Sequence, residues 1–239
     1  MPFSLQARIV FPVERPPIEH GVVTIDGERI VAIGQHGERR GEIHDLGDVA
    51  LLPGLVNTHT HLEFSQRLRP LGVSGMQLPS WIRLIIAERQ HTAADSHAVN
   101  TGLRESLRHG VTTMGEISTA IEAQKYLSDP PTELNLFLEV IGFSRARAES
   151  ALAAVTERLE VMQSLASGGR VHLGISPHAP YTVSPDLVRR LVALSIERNL
   201  PVAMHLAESE AELQLLSHGT GPFQQLLDDR SMWDPQTIP

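Results

Sequence analysis

Four histidines and a glutamate carry the chemistry that this sequence can support. His59 and His61 stand two residues apart in PGLVNTHTHLE, residues 53–63. On a β-strand, side chains at i and i+2 share a face, so the two imidazoles converge on one point. His178 lies in SPHAPY, residues 176–181, and His205 in HLAE, residues 205–208, each after an apolar run. His59, His61 and His205 offer three neutral nitrogens, a donor set suited to Zn²⁺ or Fe²⁺. A metal so held lowers the pKa of bound water to about 7. Glu208 follows His205 by three residues, and a turn there returns its carboxylate to that water as a proton acceptor and donor. His178 sits between Pro177 and Pro180, which fix its loop; a ligand role and a substrate-contact role both fit. Glu88 ends the apolar helical stretch PSWIRLIIAERQ. It either faces a pocket or pairs with a nearby arginine. Trp81, Ile82, Ile85 and Ile86 of that stretch read mostly as core. The other eight histidines, at 20, 36, 44, 91, 97, 109, 172 and 218, match no ligand pattern.

The elements that must position these groups form two stretches. Residues 4–52 hold short alternating runs, with Asp26-Gly27 between two of them as a hairpin signal. They predict a small antiparallel β unit. From residue 53 the pattern becomes strand–helix alternation. The strands are expected at 52–59, 111–117, 134–143, 171–176 and 201–207, nearly continuous apolar runs suited to burial on both faces. A helix closes before Gly110, another carries Leu152, Val155, Leu159 and Met162 up to Gly168-Gly169, and a third opens at Ser184-Pro185-Asp186. This order implies an α/β fold with a parallel sheet. Such folds gather active sites at the C-terminal ends of their strands, where His59, His61, Glu116, His178, His205 and Glu208 all fall.

Composition narrows the function. The 239 residues are 41% hydrophobic and 20% charged, with a formal net charge of −8. Nothing there invites a nucleic-acid backbone or an anionic membrane. The absence of cysteine excludes disulfides, thiolate zinc sites and deaminases with Cys-ligated zinc. No apolar run reaches the ~20 residues of a membrane span, and the N-terminus lacks a signal-peptide layout, so a cytoplasmic address is expected. Lys125 is the only lysine. It falls in a helical-looking segment, a poor place for a carbamylated lysine bridging two metals, so a single-metal site is favoured.

PGLVNTHTHLE, SPHAPYTVS and HLAES, in that order, resemble the amidohydrolase superfamily, in its cytosine deaminase-like and chlorohydrolase-like branch. The run HLAESEAELQLLSHGTGPFQQLL is similar to enzymes that deaminate aminofutalosine, a nucleoside of menaquinone synthesis. The resemblance implies a (β/α)₈ metal-dependent hydrolase barrel over residues 53–239, of which about five βα units are present, and part of a small β-sandwich over residues 1–52. It implies one divalent metal on His59, His61 and His205, Zn²⁺ before Fe²⁺, with Glu208 as proton shuttle. His178 and Glu88 match substrate contacts. The substrate is then a small molecule, an aminated purine nucleoside or related heterocycle. A triazine chlorohydrolase and an inactive metal-binding fragment are the alternatives. The family also uses an aspartate after the eighth strand and a histidine after the sixth, and the sequence up to Pro239 offers neither. The chain is therefore expected to be truncated, with open sheet edges, weak metal binding and little activity alone, or to need a partner such as a second copy of itself.

Overall fold

The computed structural model describes residues 1–35, 41–91, 96–119, 130–166 and 169–235. His36, Lys125, Gly168 and Pro239 lie outside them. The chain divides into two compact units, Met1–Leu55 and Val56–Pro239.

The first unit holds seven short strands: β1 (Phe3–Gln6), β2 (Ile9–Val10), β3 (Ile18–Glu19), β4 (Val22–Asp26), β5 (Arg29–Gly34), β6 (Glu42–Asp45) and β7 (Ala50–Leu51). They form two sheets, ordered β5-β4-β1-β6 and β3-β2-β7. The Asp26-Gly27 signal is realised as the β4–β5 hairpin, with Asp26 opposite Arg29 and Gly27 at φ 59°, a conformation open to glycine. The expected antiparallel unit is in fact mixed, because β6 and β7 return alongside β1 and β2 in parallel. Ala7, Val10 and Val23 form its core.

The second unit carries the α/β alternation. Strand β8 (Leu55–Thr60) leads through a single 3-10 turn (Leu62–Phe64) to helices α1 (Leu78–His91) and α2 (Ser96–Arg108). Then come β9 (Val111–Ser118), β10 (Glu133–Val140), helix α3 (Arg145–Leu165), β11 (Val171–Pro177) and helices α4 (Pro185–Arg198), α5 (Glu210–His218) and α6 (Pro222–Asp229). The sheet runs β11-β10-β9-β8, with β9, β10 and β11 parallel. Leu134, Leu136, Leu138 and Val140 share one face of β10 and pack with Val155, Leu159 and Met162 of α3 and Leu187 and Leu191 of α4. Period-2 alternation then places Asn135, Phe137 and Glu139 on the face turned away from these helices. The start of α4 is the predicted one: the Ser184 hydroxyl accepts from Leu187 N, and Pro185 takes the first helical position.

The fifth strand, expected over 201–207, is reduced to a bridge between Val202 and Ile175. Ile175 N donates to Pro201 O at 3.0 Å and Ala203 N to Ile175 O at 3.1 Å, as in a parallel ladder. The next donor would be residue 177. It is a proline with no N–H, so the ladder stops. His205 N then donates to His178 O at 2.9 Å instead. The same backbone bond thus sets two candidate site residues side by side.

Candidate metal centre and active site

His59 comes from β8 and His61 from the residue just past its end, on one face as i and i+2. Their ring centroids are 5.0 Å apart. His205 closes the triangle, 4.7 Å from His59 and 6.0 Å from His61 between centroids. One ring nitrogen from each of the three lies within 4.8 Å of the others. Burial, with the neighbouring His205, pushes the His59 imidazole below its ordinary pKa. Burial, with His59 beside it, pushes His61 down to about 4. Both rings are therefore neutral near pH 7, the form that ligates a cation. The Nδ1 atom of His61 is buried with no hydrogen-bond partner among the described residues. An orphaned nitrogen on a ring clustered with two other imidazoles fits a divalent metal.

Glu208 is brought back by a turn, as its spacing predicted. Ala207 takes the left-handed region at φ 58°, an uncommon conformation for a residue with a Cβ. This folds the Glu208 carboxylate to 3.5 Å from His205 Nδ1. Three further contacts hold the turn. The Tyr181 hydroxyl donates to Glu208 Oε2 at 3.1 Å. Glu208 N donates to Glu212 Oε2 at 2.7 Å. The Ser209 hydroxyl accepts from Glu212 N at the start of α5, a variant of the capping box. The Tyr181 ring stacks on Phe223 at 4.2 Å within a second apolar cluster formed by Phe143, Leu215, Leu226 and Leu227.

His178 follows β11, and its ring centroid lies 5.3 Å from that of His205. Thr182 Oγ1 donates to Ala179 O at 3.1 Å and lies 2.7 Å from His178 Nδ1. A hydroxyl has one hydrogen, so with that hydrogen on Ala179 O, Nδ1 is the donor in the shorter contact. The proton sits on Nδ1, and Nε2 presents a bare lone pair to the cavity. Burial, reinforced by His205, pushes the His178 imidazole down to about 3.

These groups line one cavity of ≈ 770 Å³. Trp81, Ile82, Ile85 and Ile86 of α1 form its apolar wall; Ile82 also packs against the core cluster around Phe223, as expected of a core face, while all four border the cavity. Glu88 is not among the lining residues; it pairs with Arg67, which is. Arg69, Arg147 and Arg230 line the same cavity from loop and helix positions, a positive lining that no sequence motif announced.

Two glutamates depart from the sequence reading. Glu116 does not end its strand, since β9 runs on to Ser118. Its carboxyl turns under the histidine strand: Leu62 N donates to both of its oxygens at 3.0 and 3.1 Å, and Thr60 Oγ1 lies 2.7 Å from Oε2. β8 and β9 are close here, for a Cβ on Gly115 would sit 2.4 Å from Thr58 O. Burial pushes Glu116 up to about 8, against the opposing contacts to Thr60 and Leu62. Glu139, which sequence reasoning missed, ends β10 in the cavity lining with a side chain only 3% exposed. Burial pushes it up to about 7. The signal was an acid next to the C-terminal residue of ELNLFLEV, where the strand is otherwise apolar from Leu136 on.

Known proteins bear on this site. The model of the amidohydrolase family matches residues 50–234. An aminodeoxyfutalosine deaminase of Deinococcus radiodurans is 30% identical over 210 residues, 85% of this chain and 48% of its own length. A 5-methylthioadenosine/S-adenosylhomocysteine deaminase of Bacillus cytotoxicus is 30% identical over 208 residues, 82% of this chain and 47% of its own. The chain thus spans about half the length of these curated relatives. Among solved structures, the aminofutalosine deaminase of Helicobacter pylori, in complex with methylthio-coformycin, superposes with a TM-score of 0.82 at 21% identity. It covers 99% of this chain and 58% of its own. An adenosine deaminase of Xanthomonas campestris with bound zinc gives 0.70 at 23%, covering 95% and 54%.

Proposed function

The chain belongs to the amidohydrolase family, and we propose that the protein carrying it deaminates an aminated purine nucleoside or related heterocycle of the aminofutalosine and adenosine kind. In this reading His59, His61 and His205 hold one divalent metal, zinc before iron. Residues 53–239 supply about five βα units of a metal-dependent hydrolase barrel, and residues 1–52 part of a β-sandwich. The observation that carries it is the meeting of three imidazoles and the Glu208 carboxylate at one point of an otherwise largely apolar cavity.

A metal bound by the three histidines supplies Lewis-acid activation of water. The remaining work falls to the chain's own groups. Glu208 accepts a proton at Oε1, the oxygen that faces His205, and delivers it to the leaving nitrogen. The Tyr181 hydroxyl, donating to Oε2, keeps the shuttle oxygen aimed. His178, protonated on Nδ1 by its bond to Thr182, offers Nε2 to a polar atom of the substrate. The Trp81–Ile86 wall covers the apolar faces of a heterocycle and excludes bulk water. Glu88 acts at the cavity edge, through or in exchange with Arg67.

The test pairs metal content with ammonia release. Protein loaded with zinc should bind one equivalent and release ammonia from an aminated purine nucleoside. Glu208→Gln should keep the metal and lose at least ~10²-fold in rate, because an amide cannot shuttle a proton. Zinc binding that survives His61→Ala, or near-normal turnover in Glu208→Gln, would rule the assignment out.

A further inference from the structure

Glu139 stands apart from the other acids of the cavity. Its side chain is 3% exposed, yet among the described residues its carboxyl oxygens make no hydrogen bond. A carboxyl so enclosed, set in a cavity lining with only the His178 ring at ion-pair range, points to a ligand that completes it. The backbone around it is firmly set: Glu139 O accepts from Arg158 Nη1 at 3.3 Å, and Nη2 of the same guanidinium donates to Ser118 O at 3.2 Å, tying the ends of β10 and β9. The side chain is therefore presented from a fixed strand end. It forms an ion-pair contact with His178, Oε1 lying 4.0 Å from Nε2, and Arg89, Glu63 and Arg158 also act on it electrostatically.

That distance is too long for a direct hydrogen bond and short enough for one atom to reach both groups. Both are acceptors. Thr182 holds the His178 proton on Nδ1, leaving Nε2 bare, and a carboxyl always offers an oxygen lone pair. A neutral ligand atom that donates to both brings two hydrogens. We propose that Glu139 is a substrate-contacting residue, and that its carboxyl and His178 Nε2 together bind the amino group of an aminated heterocycle. This rests on the deaminase reading and deepens it, for it makes the pair a selector of aminated over unaminated ring systems. The same oxygen lies with His178 and His205 in a set whose ligand atoms fall within 4.8 Å of one another. A cation held there is the competing occupant.

The experiment uses zinc-loaded protein in a Glu208→Gln background, to hold turnover off, and measures equilibrium binding of an aminated purine nucleoside and of the same nucleoside lacking the amino group. Glu139→Leu should weaken the aminated ligand about tenfold or more and leave the unaminated one within about twofold. Glu139→Gln, whose amide oxygen still accepts, should recover part of the loss. The thermal midpoint of Glu139→Leu should not fall markedly below that of its parent, because the leucine removes no hydrogen bond of the carboxyl among the described residues. Equal effects on the two ligands, or none, overturn the inference. Loss of a zinc equivalent in Glu139→Leu also overturns it and makes Glu139 a cation ligand. A parent protein that binds neither nucleoside, or does not prefer the aminated one, removes the deaminase reading and this inference with it. A parent that discriminates while Glu139→Leu matches it removes only the inference.

Discussion

Replacing Glu116 by glutamine should make the protein more stable at pH 8, although it deletes a charge that accepts hydrogen bonds. Thr60 has one hydroxyl hydrogen and two acceptors, Gly115 O at 3.1 Å and Glu116 Oε2 at 2.7 Å. A protonated carboxyl resolves the conflict: its O–H donates to Thr60 Oγ1, Thr60 donates to Gly115 O, and the other oxygen accepts from Leu62 N. Burial, which raises this carboxyl from 4.5 to about 8, enforces that state. Because the folded value lies above the unfolded one, the stabilisation is fully present below about pH 4.5. It declines as the unfolded chain ionises, and is lost by the time pH passes through about 8. At ~1.4 kcal/mol per pH unit, the window gives on the order of 5 kcal/mol as an upper bound. Glutamine mimics the neutral acid, donating through Nε2 and accepting through Oε1, and does not titrate. The assay is urea unfolding of metal-free wild type and Glu116→Gln at intervals from pH 5 to pH 8.5. The difference between the two curves is the quantity of interest, since it cancels the opposing contribution of His61 and His178. It should move by several kcal/mol in favour of the variant as pH rises. A flat difference, or a variant less stable than wild type at pH 8, would show that Glu116 is not a buried neutral acid.

Two smaller predictions follow from contacts around the site. Tyr181→Phe should lower ammonia release roughly 10–100-fold, the worth of one hydrogen bond to a charged acceptor. Its thermal midpoint should barely change, because the ring stays stacked on Phe223; an unchanged rate would remove Tyr181 from the shuttle. Ser184→Ala deletes the cap of α4 and should cost about 1 kcal/mol in denaturant unfolding, with a loss below a few tenths showing that the cap is idle.

Much of this site is legible in the sequence because its signals are local. A His-x-His at the end of an apolar run needs only period-2 geometry to converge, and His205 with Glu208 needs only a turn. The opening of α4 is likewise written in three consecutive residues. What escaped depends on which way a side chain faces or on a partner far along the chain. Glu116 seemed to end a strand, but two more residues of β9 put it beneath Thr60 and Leu62, more than fifty positions away. Glu139 offered one acid near the end of an apolar run, and only the packing of Leu134, Leu136 and Leu138 against α3 and α4 reveals that it faces the cavity. The α1 wall had the pattern of core because an apolar face looks the same whether it meets protein or a ligand space. The fifth strand failed for a covalent reason that was visible at Pro177 but acts on a neighbour, the 201–207 segment.

That missing donor has a dynamic consequence. Past Val202, among the described residues, the segment bearing His205 and Glu208 is tied to the sheet by the Ala203 and His205 amides, its other contacts running to Tyr181 and Glu212 beside it. A stretch fastened so sparsely is the natural place for the molecule to breathe, opening without dragging β8 to β11 with it. His59 and His61 sit on the far edge of the same sheet, one bound ion away from His205. Any cation shared by the three rings would act as a clasp across that gap, and its grip would be felt as slowed amide exchange at His205 before it was felt anywhere else.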